Sequence, residues 1–152
     1  MRLFISKQIR KREFGRSISA ADLAVIARTA RVSLATPISG KGLPEGTRLI
    51  KAYGTSTTGP KRVIYLLVVE DQDLFLLFYR DKNNEVGRNA SMANPSFRSA
   101  LEKHLSLLNE DILSENIESL PITQLHETKN NHPPRNHRHP LLHPPDFRER
   151  KS

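Results

Sequence analysis

The chain has 152 residues, 37 % of them hydrophobic, which leaves room for one domain with a modest core and excludes a large multi-domain architecture. It contains no Cys, so a disulfide framework and Cys-ligated zinc are excluded, in keeping with a reducing compartment. The net charge of +8 is uneven: residues 1–62 carry thirteen Lys/Arg against three Asp/Glu (+10), residues 63–125 five against ten (−5), and residues 126–152 six against three (+3). Such a basic N-terminal half makes a polyanion the first partner to consider, because Lys and Arg that neutralise phosphates release counterions.

No apolar run approaches the roughly 18 residues of a membrane span. The first fifteen residues alternate basic and apolar side chains without a signal-peptide core. A cytoplasmic protein without membrane association is expected.

In chain order, Arg2–Ile5 reads as a short strand and Lys7–Phe14 as a basic helix. Ser19 is a good N-cap with Asp22 three residues later, and Leu23, Ile26, Ala27 and Ala30 recur at helical spacing, predicting a helix over Ala20–Val32. "ATPISGKGLPEG" has two Pro and three Gly and reads as a loop. "TRLIKAY" is a strand and "GTSTTGP" a flexible loop. The runs Val63–Val69 and Leu74–Tyr79 are apolar throughout, predicting two central strands, Val63–Glu70 and Asp73–Tyr79, joined by a turn at Asp71-Gln72. Asn94 and Pro95 open a last helix whose stripe is Phe97, Ala100, Leu101, His104, Leu105 and Leu108, with His104 read as a packed histidine. Beyond Ile112 the pattern fades. The segment from His126 holds five of the six His and five of the ten Pro and is expected to be disordered. The expected organisation is a small α+β domain over residues 1–112, a mainly antiparallel sheet packed against helices, followed by a low-complexity tail over residues 113–152.

No GxGxxG or GxxxxGK[ST] loop, HExxH or GxSxG is present. The spacing His137-x-His139 is read as incidental to the His/Pro-rich composition, and neither a metal nor a cofactor is expected. Basic residues bracket the apolar hairpin: Lys61 and Arg62 on one side, Arg80 and Lys82 on the other. Metal-free RNA cleavage needs only cations for the phosphorane-like charge and groups that exchange protons with the 2′-hydroxyl and the leaving oxygen. A hairpin turning near Asp71 gathers Arg62 and Lys82 at one sheet edge, and both side chains are expected outside the apolar core.

The block from Glu45 to Ser91 resembles the RelE/ParE superfamily of bacterial toxins, particularly the HigB-like branch. Gly59, Arg62, Val63, Ile64 and Tyr65 match its GKSGGYRVIY-like segment. Tyr79, Lys82 and Asn83 match its YAKNE-like end with one extra residue, and Arg48 and Lys51 match its basic strand. Where the pattern has Lys, Ser, Gly, Gly and Tyr before the Arg, this chain has Thr57, Thr58, Gly59, Pro60 and Lys61. The resemblance implies a RelE-like fold, an mRNA endonuclease that inhibits translation on or with the ribosome, and a cognate antitoxin. It carries over Arg48, Lys51, Arg62 and Lys82, with Lys61 as a further catalytic candidate and Arg80 and Arg88 as RNA-binding additions. Arg48, Arg62 and Lys82 would stabilise phosphate charge, and Lys51 or Lys61 would transfer protons. A ParE-like topoisomerase-binding toxin and a non-catalytic RNA-binding member are the alternatives.

Overall fold

The structure, a computed structural model, describes residues 1–15, 17–31, 36–38 and 42–122. In chain order these form β1 (Leu3–Ser6), α1 (Lys7–Phe14), α2 (Ala20–Thr29), β2 (Thr36–Ile38), β3 (Thr47–Ser56), β4 (Gly59–Val68), β5 (Asp73–Asp81), α3 (Glu85–Arg88), α4 (Pro95–Leu113) and β6 (Ile117–Leu120). Among the described residues the strands make one six-stranded sheet, ordered β2-β3-β4-β5-β1-β6 and antiparallel except where β1 meets β5. The fold is α+β, as the hydrophobic pattern predicts.

The two most apolar runs are central because both their faces are covered. Helix α2 packs over β3, and the Tyr65 hydroxyl of β4 donates to the Ile26 carbonyl at 3.0 Å and lies 2.8 Å from Thr29 Oγ1. On the opposite face Phe78 of β5 packs against Phe97 and His104 of α4, with ring centroids 5.7 and 4.5 Å apart. The register slips between Ile64 and Tyr65: Ile64 pairs with Phe78 but Tyr65 with Leu76, leaving Leu77 as the extra residue of a bulge. A strict alternation of inward and outward residues therefore cannot run the length of this hairpin.

Several segments differ from the sequence reading. Residues 36–38, assigned to a loop, form the edge strand β2, where Pro37 pairs with Ile50 and its missing N–H costs nothing. The expected flexible "GTSTTGP" loop instead lengthens β3 and β4 around a two-residue turn at Thr57-Thr58. Ser56 Oγ accepts from the Thr58 amide at 3.1 Å, and Gly59 takes φ 121°, a conformation that other residues avoid. Helix α2 stops at Thr29, whose hydroxyl donates back to the Ile26 carbonyl at 3.1 Å. The β4–β5 connection spans residues 69–72, with Gln72 at φ 61° in place of a glycine.

After the apolar stripe of α4 ends, the chain turns at Glu115 (φ 58°) and adds β6, which pairs antiparallel with β1 from Leu3–Leu120 to Ser6–Ile117. The edge of β1 away from β5 is thereby paired. The tail from residue 123, His137 and His139 included, lies outside the described residues. A chain ending at Leu113 loses this ladder and the Arg10–Glu118 ion pair (2.9 Å), so it is expected to melt on the order of 5 °C or more below a chain ending at Ile122. Truncation after Ile122 is expected to leave the midpoint nearly unchanged. Calorimetry of the three chain lengths checks both.

Candidate anion-binding site

The antiparallel hairpin brings its basic ends together. Arg62 and Arg80 pair directly across β4 and β5, and the Lys82 amide donates to the Pro60 carbonyl at 3.1 Å, one step beyond the ladder. Two guanidinium groups on directly opposed residues repel unless something compensates them.

Register sorts the remaining candidates by face. Tyr53 pairs with Arg62 and Lys51 with Ile64, so Lys51, Tyr53, Arg62 and Arg80 share the sheet face that carries Phe78 and α4. Lys51 and Tyr53 are two residues apart, about 7 Å along the strand. Lys61, the next residue of β4, points to the opposite face, where its ammonium lies 2.5 Å from Asp81 and over the Tyr79 ring. Arg48 also belongs to that opposite face, paired with Leu67 and about 17 Å along β3 from Tyr53. Arg88 is an exposed residue of α3, and Lys82 is exposed beyond β5. Arg48, Lys51, Lys82 and Arg88 have no ion-pair partner among the described residues.

Arg62 departs from the expected exposed position. It is only 5 % exposed. Its guanidinium stacks on the Tyr53 ring at 4.1 Å, and its Nε is enclosed without an acceptor. No carboxylate pairs with it among the described residues. Burial comes from α3, which closes over the strand ends. A Cβ built on Gly87 would stand 3.6 Å from the Arg62 Cβ, 3.3 Å from the Arg80 Cβ and only 2.6 Å from the Asp81 carbonyl, so any larger residue would lift the helix. Asn84 caps α3 by accepting from the amides of Val86 and Gly87. A buried cation without a counter-ion is unfavourable, and an anion arriving at it gains a charge-assisted contact in a water-poor setting.

Arg80, its cross-strand neighbour, is in the opposite condition. Its Nε donates to Glu13 Oε1 at 2.8 Å and a terminal nitrogen to Oε2 at 2.7 Å, while its other terminal nitrogen reaches Asn84 Oδ1 at 3.3 Å. Glu13 comes from α1, which runs beside the stretch of β5 that β1 does not pair. Its carboxylate also accepts from the Tyr79 amide at 2.9 Å and lies 2.9 Å from His104 Nε2. The end of α4 steadies the start of α1, because Asp111 accepts from the Ser6 hydroxyl and the Gln8 amide. His104 is buried as a packed histidine, and its Nδ1 has no partner. Of the two opposed arginines, only Arg80 is neutralised.

Burial by itself pushes the Glu13 carboxyl up, but hydrogen bonds from Arg80 and His104, the Arg80 charge and the Tyr79 amide outweigh it and hold the carboxyl below its ordinary value of 4.5. The stabilisation from this depressed acid is complete above the unfolded value and is lost as pH falls through the folded one. The unfolding free energy of the wild type relative to Glu13→Gln is therefore expected to shrink as pH drops from about 6 to about 3. Urea titrations at several pH values check this, and a pH-independent difference would contradict an ionised Glu13.

Few groups beside Arg62 are free to move a proton. Burial and then the hydrogen bond to Asp22 push the Tyr79 phenol up, and its hydroxyl donates to Asp22 at 2.7 Å. Burial does the same to Tyr65, which donates to the α2 backbone. The Lys61 ammonium is engaged by the Asp81 carboxylate at 2.5 Å. Lys51 is the half-exposed candidate on the Arg62 face without an ion-pair partner among the described residues. Among the described residues no three His, Asp or Glu side chains cluster closely enough to hold a metal ion.

Comparison of the chain with family models, characterised proteins and solved structures finds no match. The site therefore has to be read from its own geometry. Three of its members escaped sequence reasoning: Tyr53, Glu13 and Gly87. Tyr53 had a legible signal, since it alternates with Lys51 along β3. Glu13 had none, because only the path of α1 beside β5 brings it to Arg80.

Proposed function

We propose that this protein is an RNA-cleaving toxin of the RelE/HigB type, an endoribonuclease that cuts mRNA without a metal ion, on or with the ribosome, and is held silent by a cognate antitoxin. The observation that carries this reading is the buried guanidinium of Arg62, left without a counter-charge among the described residues and flanked on its own sheet face by Lys51 and Tyr53. A phosphodiester supplies the missing charge, and the surplus of Lys and Arg in residues 1–62 favours a polyanion that carries many of them.

In this reading Arg62 faces the non-bridging oxygens and stabilises the charge that builds on them. The 2′-oxygen attacks phosphorus, the bond from phosphorus to the 5′-oxygen breaks, and a 2′,3′-cyclic phosphate results. The 2′-hydroxyl proton passes to water, and the Lys51 ammonium protonates the departing 5′-oxygen. Lys82 and Arg88 hold flanking phosphates and position the strand.

Induced expression with growth curves and primer extension on cellular mRNA tests the reading. Wild-type protein is expected to arrest growth and leave discrete mRNA cuts. Lys51→Ala is expected to reduce cutting on the order of a hundredfold while the protein still binds RNA. Growth arrest without any cut would overturn cleavage and point to a ParE-like topoisomerase inhibitor. A non-cleaving RNA binder is the second reading, and one observation favours it: Lys61, Tyr79 and His104 are all engaged elsewhere, which leaves few of the described residues near Arg62 free for proton transfer.

A further inference from the structure

We infer that Tyr53 is a stacking platform for a nucleobase, so that the site takes a nucleotide of single-stranded RNA by base and phosphate together. This rests on the RNA-binding reading of Arg62 and adds the recognition of the base. Tyr53 is 54 % exposed, the most exposed of the large apolar side chains among the described residues, and it is also the ring against which the unpaired guanidinium lies. One ring face is occupied by Arg62 at 4.1 Å, so the exposure belongs to the other face and the edge. Next to it on β3, a Cβ built on Gly54 would stand only 2.6 Å from Val25 Cγ1 and 3.0 Å from Thr29 Cγ2, so α2 packs closely on the backbone beneath the ring.

A base on the open face completes a guanidinium–phenol–base stack. Such contacts tolerate any base, because every base presents a π-face. The phosphate of that nucleotide then lies near Arg62, with Lys51 about 7 Å from Tyr53 along the strand on the same face. The other two tyrosines cannot serve. Tyr65 and Tyr79 are buried, and their hydroxyls are bonded to α2.

The test is a nuclear magnetic resonance titration of the full chain with adenosine 5′-monophosphate, ribose 5-phosphate and inorganic phosphate, on wild type, Tyr53→Leu, Tyr53→Phe and Arg62→Met. Wild type is expected to bind the nucleotide on the order of tenfold tighter than the sugar phosphate, with the Tyr53 ring signals moving upfield and those of Tyr65 and Tyr79 unmoved. Tyr53→Leu is expected to lose that preference, so that it binds the nucleotide no tighter than ribose 5-phosphate, and Tyr53→Phe to keep the preference. If the wild type binds both ligands equally, or if Tyr53→Leu retains the preference, the platform is overturned while the phosphate site stands. If none of the three ligands binds, or if Arg62→Met binds all of them unchanged, the phosphate reading itself fails and the platform with it.

Discussion

Arg62→Met is expected to melt higher than the wild type and to cleave RNA far more slowly. The substitution removes a guanidinium that is 5 % exposed, has an orphaned Nε and stands opposite a second arginine, and it puts an unbranched apolar chain of similar length in its place. Replacing buried charge by apolar side chains of similar volume is commonly neutral to stabilising. Losing the stack on Tyr53 gives back part of the gain, since cation–π contacts contribute about 0.5–2 kcal/mol. The net expectation is a rise of on the order of 1–2 kcal/mol in the ligand-free protein. Cleavage is expected to fall by on the order of 10²–10³-fold, the usual effect of removing one transition-state donor. Arg62→Lys keeps the charge but loses the planar fork, so it is expected to recover neither full activity nor the added stability. Thermal unfolding and end-mapped cleavage of one RNA report both quantities for each variant. A variant that melts lower and still cuts would contradict the assignment.

Glu13→Ala is expected to be the most destabilising single change at the site, by about 3–5 kcal/mol. The carboxylate is fully enclosed and satisfies two nitrogens of Arg80, the Tyr79 amide and His104 at once. Its removal leaves two adjacent strands with opposed and uncompensated guanidinium groups, together with an orphaned strand amide. The double variant Glu13→Ala with Arg80→Leu is expected to recover a substantial part of the loss, because it removes the stranded charge as well. Urea unfolding of the single and double variants measures the coupling. A loss below about 1 kcal/mol would mean that the pair contributes no more than a surface salt bridge.

The central hairpin was legible because burial on both faces demands uninterrupted apolar runs, and Val63–Val68 with Leu74–Tyr79 can satisfy that demand nowhere else in the chain. The caps at Ser19 and Asn94 were legible for a local reason: the side chain that receives the first free amides is within three residues of them. Strands β2 and β6 were not. Each is three or four residues long and is set by the edge it covers rather than by its own pattern. The site follows the same division. That Arg62 and Lys82 lie at the same end of the hairpin follows from antiparallel pairing alone. That Arg62 is buried while Arg80 is neutralised depends on α3 closing over one and α1 delivering Glu13 to the other, and both are contacts between segments far apart in sequence.

The claim that folding leaves Arg62 uncompensated for the sake of a phosphate is tested most directly by thermal unfolding of the wild type and Arg62→Met with and without a short single-stranded RNA. Without RNA the variant is predicted to be the more stable of the two. At an RNA concentration about a hundredfold above the dissociation constant the wild type is predicted to gain about 2.7 kcal/mol and the variant little, so that their order reverses. If RNA stabilises both proteins equally, Arg62 does not hold its phosphate.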